Sequence, residues 1–210
     1  MPEPISSLWY TEEDDLFDRR YPVKIERLSP RHWTPVQVAR LAARLLVRQP
    51  GMRVLDVGCG PGKFCAVGAL VTDGHFTGIE QRPRLAAIAR DMIREHGIER
   101  VEIIGGNIVD VPFRNYDAFY IYNPFQENIL PSLRIDATVD VAAELYERYI
   151  AHLQTELSGM PAGTRVVTFH GACEEVPSAY ECDEEGFEGF LKRRGQPWWR
   201  PRGFSEPHCR

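Results

Sequence analysis

The segment Arg53-Val-Leu-Asp-Val-Gly-Cys-Gly-Pro-Gly-Lys63 constrains the fold of this chain more than any other. Val54, Leu55 and Val57 form a short apolar run rich in β-formers, and glycines then recur at every second position, at Gly58, Gly60 and Gly62. Such a run reads as a buried strand entering a glycine-rich turn that opens a helix. Without a Cβ, the turn lets backbone amides come close to a ligand, and the first turn of the helix has N–H groups free to meet it. A unit of this kind belongs to α/β folds, in which ligands sit beyond the carboxyl ends of parallel strands.

The flanking pattern agrees. A helix is expected after Thr34-Pro35, with Thr34 as its cap and Val38, Leu41, Ala42 and Leu45 on one face. Helix Gly62 to Val71, strand Phe76 to Glu80, helix Pro83 to His96, strand Val101 to Ile104 and strand Tyr116 to Tyr122 follow. A long amphipathic helix from Ile135 to Leu157 precedes a strand from Arg165 to His170. Short segments at Ala179 to Glu181 and Phe187 to Arg193 are expected to pair at the sheet's end. The architecture predicted is Rossmann-like and doubly wound, a mostly parallel seven-stranded sheet with an antiparallel end and helices on both faces. At 210 residues and 43% hydrophobic content the chain suits one such domain. We divide it into an arm or lid at 1–33, the core domain at 34–195 and an irregular tail at 196–210. The acidic run Glu12 to Asp15 in the arm reads as solvated surface.

The loop narrows the ligand. A dinucleotide fingerprint needs a third glycine where Lys63 stands, and a Walker loop needs Ser or Thr where Phe64 stands. What remains, Asp56-x-Gly58-x-Gly60-x-Gly62, resembles the first motif of class I methyltransferases that use S-adenosylmethionine. Glu80, ending the next strand, is the candidate to accept hydrogen bonds from both ribose hydroxyls. Asn107 is placed to bond the adenine edge, with Ile108 on the adenine face, while Gly106-Asn107 also reads as a plain turn. The cofactor-binding set is Asp56, Gly58, Cys59, Gly60, Gly62, Lys63, Glu80, Gln81, Asn107, Ile108 and Asn123.

Tyr122-Asn-Pro-Phe125 resembles a shortened form of the Asn-Pro-Pro-aromatic motif of methyltransferases acting on planar amide or amino nitrogens. There the Asn accepts a hydrogen bond from the target nitrogen and the aromatic stacks on it, so Asn123 and Phe125 are the catalytic candidates. A strand-terminating turn is the plainer reading of the same residues. The stretch Ser29 to Pro35 either folds over the methionine end of the cofactor or connects elements at the surface, with Trp33 filling a core gap. His32 is a minor candidate for a general base.

Together these motifs make Thr34 to His170 similar to a class I S-adenosylmethionine-dependent methyltransferase, and the loop and Glu80 also resemble the non-SET protein lysine methyltransferases. The resemblance implies in-line displacement at a methyl carbon, with catalysis dominated by alignment, which can supply about 7–11 kcal/mol of a barrier. The acceptor is unidentified. A protein or small-molecule nitrogen is favoured over nucleic acid, because a formal charge of −5 supplies no broad basic field. Five irregularly spaced cysteines suggest neither a disulfide framework nor a metal site, and point to a reduced cytoplasm. No run of eighteen apolar residues and no export leader is visible, so no membrane is expected. Two other readings stay open: a cofactor-binding protein without transfer activity, and a nicotinamide-dependent reductase.

Overall fold

The computed structural model describes residues 10–169, 174–182 and 198–201. Its centre is a parallel sheet of five strands, β1 (Arg53–Val57), β2 (His75–Glu80), β3 (Val101–Gly105), β4 (Ala118–Ile121) and β5 (Arg165–Thr168), in the order β3-β2-β1-β4-β5. Val57 pairs with Ile79 on one side and Ile121 on the other, so the strand feeding the glycine loop is central. The winding reverses between β1 and β4. That switch point opens a crevice at the carboxyl ends of the strands.

Helices cover both faces, which is why β4 and β5 are buried at every residue. On one face Val54, Phe76 and Tyr120 pack with α4 (Val36–Leu46), α5 (Lys63–Val71) and α6 (Pro83–Glu95). Phe64 of α5 stacks on Tyr120 at 3.8 Å between ring centroids. On the other face Leu55, Val57 and Phe119 meet Leu153 and Leu157 of α7 (Ala143–Ser158). Each such fully buried side chain contributes about 1.5–3 kcal/mol.

Beyond β5 two short segments, β6 (Tyr180–Cys182) and β7 (Trp198–Pro201), lie antiparallel, with β7 between β5 and β6. The parallel part of the sheet therefore numbers five strands. The pairing differs from the expected one, since the strand beside β5 comes from the stretch read as an irregular tail. Phe187 to Arg193 lies outside the described residues.

The arm is more ordered than its sequence suggests. It forms α1 (Glu12–Asp18), α2 (Val23–Glu26) and α3 (Ser29–His32). Asp14, read as surface, is fully buried, and its Oδ1 accepts the Val36 N–H at 2.8 Å. Asp14 thus caps α4 from a distance, while the expected cap Thr34 turns its hydroxyl to Tyr120 at 3.0 Å. α7 begins at Ala143 rather than Ile135. Asp136 accepts from the backbone and hydroxyl of Thr138 and from Arg82, an arrangement that competes with helix formation.

Candidate active site

A cavity of about 130 Å³ occupies the crevice at the β1/β4 switch point. Four strand ends supply its walls: Val57 and Gly58 after β1, Ile79 to Arg82 at β2, Gly106 to Ile108 after β3, and Tyr122 to Glu127 after β4. The arm adds Arg31, His32 and Trp33, and α7 adds Tyr149.

Glu80 is 5% exposed, yet it lines this cavity. Its Oε2 accepts the Gly60 N–H at 3.0 Å and its Oε1 the Arg82 N–H at 2.7 Å. Burial pushes its pKa up, against the pull of those amides and of the Arg82 charge. The glycine loop is thereby tied to the end of β2.

Asn107 is already engaged. Its Oδ1 accepts the Val109 N–H at 3.2 Å, and its Nδ2 donates to the Tyr149 hydroxyl at 2.9 Å. Tyr149 in turn stacks on Phe125, with centroids 4.8 Å apart and planes at 26°. One face of Phe125 is thus taken by Tyr149 and only the remainder can meet a ligand. Asn123 has φ +42°, in the left-handed region that Asn tolerates better than most residues, and such backbone marks functional turns. Among the described residues its side-chain amide makes no hydrogen bond.

Of the sequence-derived set, Gly58, Glu80, Gln81, Asn107, Ile108, Asn123 and Phe125 surround the cavity. Asp56, Cys59, Gly60, Gly62 and Lys63 do not line it. Asp56 is buried behind the loop, where the Cys65 thiol donates to it at 3.5 Å. Cys59 packs against Gly78. Lys63, 1% exposed, turns away into the arm, with Nζ 2.8 Å from Asp14, 2.9 Å from Asp18 and 3.2 Å from the Ser29 hydroxyl. A lysine beside a glycine loop reads as an anion contact, and nothing local in the sequence reveals partners 45 and 49 residues away.

Sequence reasoning places Arg82 at a strand end facing the crevice without giving it a role, and misses Glu127 and Tyr149. Arg82 sends Nη2 to Glu127 at 2.6 Å and Nε to Asp136 at 3.1 Å, and Arg31 reaches the Ser132 carbonyl at 2.7 Å. These bonds strap the segment after β4 across the cavity. His32, beside Trp33 on the wall, is held neutral by burial and by the charges of Arg31 and Arg82, its pKa lowered to about 4. That makes it a poor base at neutral pH. Trp33 fills a gap beneath Gly60, as the plainer of the two readings has it, with its indole N–H donated to the Ile25 carbonyl at 3.2 Å, and it also lines the cavity. Among the described residues no cluster of His, Cys, Asp or Glu could hold a metal, and no helix is long and apolar enough to cross a membrane.

Residues 48–128 match a family profile described as a methyltransferase domain. A demethylmenaquinone methyltransferase of Listeria welshimeri is 30% identical over 80 residues, covering 37% of this chain and 34% of its own. The one from Bacillus cytotoxicus is 26% identical over the same shares. The chain thus spans about a third of the length of the curated relatives it matches. An RNA methyltransferase from Salinibacter ruber in complex with S-adenosylhomocysteine shares the fold at TM-score 0.51 and 19% identity, covering 83% of this chain and 97% of that one. TrmN from Thermus thermophilus does so at TM-score 0.50 and 16% identity, over 79% and 47%. The profile match spans the glycine loop, Glu80 and the turn after β4, the same strand ends that build the cavity, and over this stretch the chain is similar to a methyltransferase domain.

Proposed function

We propose that this chain transfers a methyl group from S-adenosylmethionine, by in-line displacement, to a nitrogen of a protein or small molecule. The observation that carries this reading is the buried carboxylate of Glu80 on the cavity wall. Each of its oxygens accepts one backbone N–H and keeps a second lone pair, so the pair of them fits a vicinal diol such as a ribose. Gly58, Gln81, Asn107 and Ile108 extend the wall on either side and would hold the rest of the cofactor.

When bound, the cofactor supplies an electrophilic methyl carbon on a sulfonium leaving group. The chain's own contribution is alignment and exclusion of water. Asn123 Oδ1 is available to accept an N–H of the acceptor and so orient its lone pair, and Trp33, Phe125 and the strapped segment shield the site. His32, neutral at pH 7, leaves proton removal to solvent or to the acceptor itself.

Three finer points belong to the same reading. The complete sheet has seven strands with an antiparallel end, as the pairing of Val166 with Trp199 supports. The arm at 1–33 acts as a lid, which the Arg31 bond to Ser132 supports. The protein works in a reduced cytoplasm, which buried free thiols at Cys59 and Cys65 support.

Calorimetric titration with S-adenosylmethionine and S-adenosylhomocysteine, with NADH as control, tests the core of this. Micromolar binding of the first two, weakened by about 1–3 kcal/mol in Glu80→Ala, is expected. Binding of NADH instead would establish the reductase reading, and binding of none by folded protein would remove both.

A further inference from the structure

Tyr149 is on α7, outside every motif of the cofactor crevice, yet it touches two of the crevice's walls. Its hydroxyl receives the Asn107 Nδ2–H at 2.9 Å, while its ring stacks on Phe125 at 4.8 Å. Asn107 follows β3 and Phe125 follows β4, on opposite sides of the switch point. The residue is 6% exposed, and α7 is anchored beneath it by Leu153 and Leu157.

We infer that Tyr149 is a positioning residue that couples the cofactor wall to the acceptor-facing turn; this rests on the cofactor reading given above. Its hydroxyl decides how Asn107 is turned. With one Nδ2–H held by Tyr149 and Oδ1 held by Val109, the amide presents its remaining N–H in one orientation only. Its ring separately fixes Phe125, and through it the backbone of Asn123 and Pro124. A neutral hydrogen bond and an aromatic stack are two different physical links, so two substitutions separate them.

The experiment is a titration of the full chain with S-adenosylhomocysteine and with sinefungin, which carries an amine where the cofactor carries its methyl group. Tyr149→Phe keeps the stack and loses the hydroxyl, so both ligands should weaken alike, by about threefold to tenfold. Tyr149→Leu loses both links, so sinefungin should lose several-fold more than S-adenosylhomocysteine does. A double-mutant cycle of Tyr149→Phe with Asn107→Ala should be non-additive, because both remove the same bond. A wild type that binds neither ligand overturns the cofactor reading and this role with it. If the wild type binds and Tyr149→Phe matches it, or the cycle is additive while only the melting temperature falls, the role of Tyr149 alone is overturned.

Discussion

A Cβ placed on Gly58 would sit 2.6 Å from the Cβ of Pro124, closer than two non-bonded carbons approach. The first glycine of the loop therefore lets the turn after β4 pack against the end of β1, in addition to leaving room for a ligand. Gly58 also has φ +75°, where an L side chain is strained. Gly58→Ala should displace the Asn123-Pro124 turn, destabilise the fold by about 1–3 kcal/mol, and weaken S-adenosylhomocysteine by at least tenfold. Urea denaturation and calorimetry on the same preparation read both. An alanine variant with wild-type affinity would show that the turn is no part of the site.

Lys63 is expected to behave as a structural cation. Replacing it by Met leaves Asp14 and Asp18 buried without their ammonium partner, a loss of about 3–5 kcal/mol in comparable buried pairs. The folded fraction of Lys63→Met should bind S-adenosylhomocysteine within about threefold of wild type, since the side chain points away from the cavity. Stability unchanged with affinity lost would reverse the assignment and restore Lys63 as a ligand contact.

Whether a feature could be read from the sequence depended on whether its signal was local. The alternating glycines, the strand-end acids and the apolar runs of β1, β2 and β4 are written in adjacent residues, and the parallel sheet follows from them. The cap on α4 is not local, because Asp14 reaches it from another helix and frees Thr34 for Tyr120. The start of α7 was misplaced because Asp136 is held by Arg82, 54 residues upstream. The same holds in the site: Glu80 ends a strand and announces itself, whereas Tyr149 matters only because α7 folds against the segments that follow β3 and β4. Gly60 is a case between the two. Its spacing suggests ligand access, and its neighbour is Trp33 of the arm, 2.7 Å from where a Cβ would stand.

Arg82 holds the segment after β4 through Glu127 and Asp136, and both contacts go in Arg82→Met. Glu127, 7% exposed, would be left as a buried carboxylate without its cation. The segment from Gln126 to Asp136 should then open, seen as faster proteolysis within it while cleavage elsewhere is unchanged. Cofactor dissociation should quicken by more than association does, because the strap acts after binding. Adding Glu127→Gln to Arg82→Met should recover part of the lost stability. Equal protease sensitivity in wild type and Arg82→Met would mean that the segment is held by its apolar contacts alone.

Two buried groups give stability opposite dependences on pH. Burial raises the pKa of Asp56 to about 8, the Cys65 thiol hydrogen bond working against it and the charge of Glu80 with it. Folded protein thus keeps a proton that the unfolded chain releases near the ordinary carboxylate value, so this group's contribution is complete below about pH 4 and is lost as pH rises to about 8. His32 runs the other way. Its folded pKa of about 4 lies below the ordinary 6.5, so the unfolded chain binds the extra proton and stability falls as pH drops from 6.5 towards 4. The two oppose each other up to about pH 6.5, and above that Asp56 acts without the histidine. In urea titrations at pH 5, 6.5 and 8, Asp56→Asn should therefore gain on wild type between pH 6.5 and 8. His32→Gln should gain on it between pH 6.5 and 5 and track it above 6.5. Midpoints of Asp56→Asn that stay parallel to wild type from pH 6.5 to 8 would mean that Asp56 is ionised in the fold.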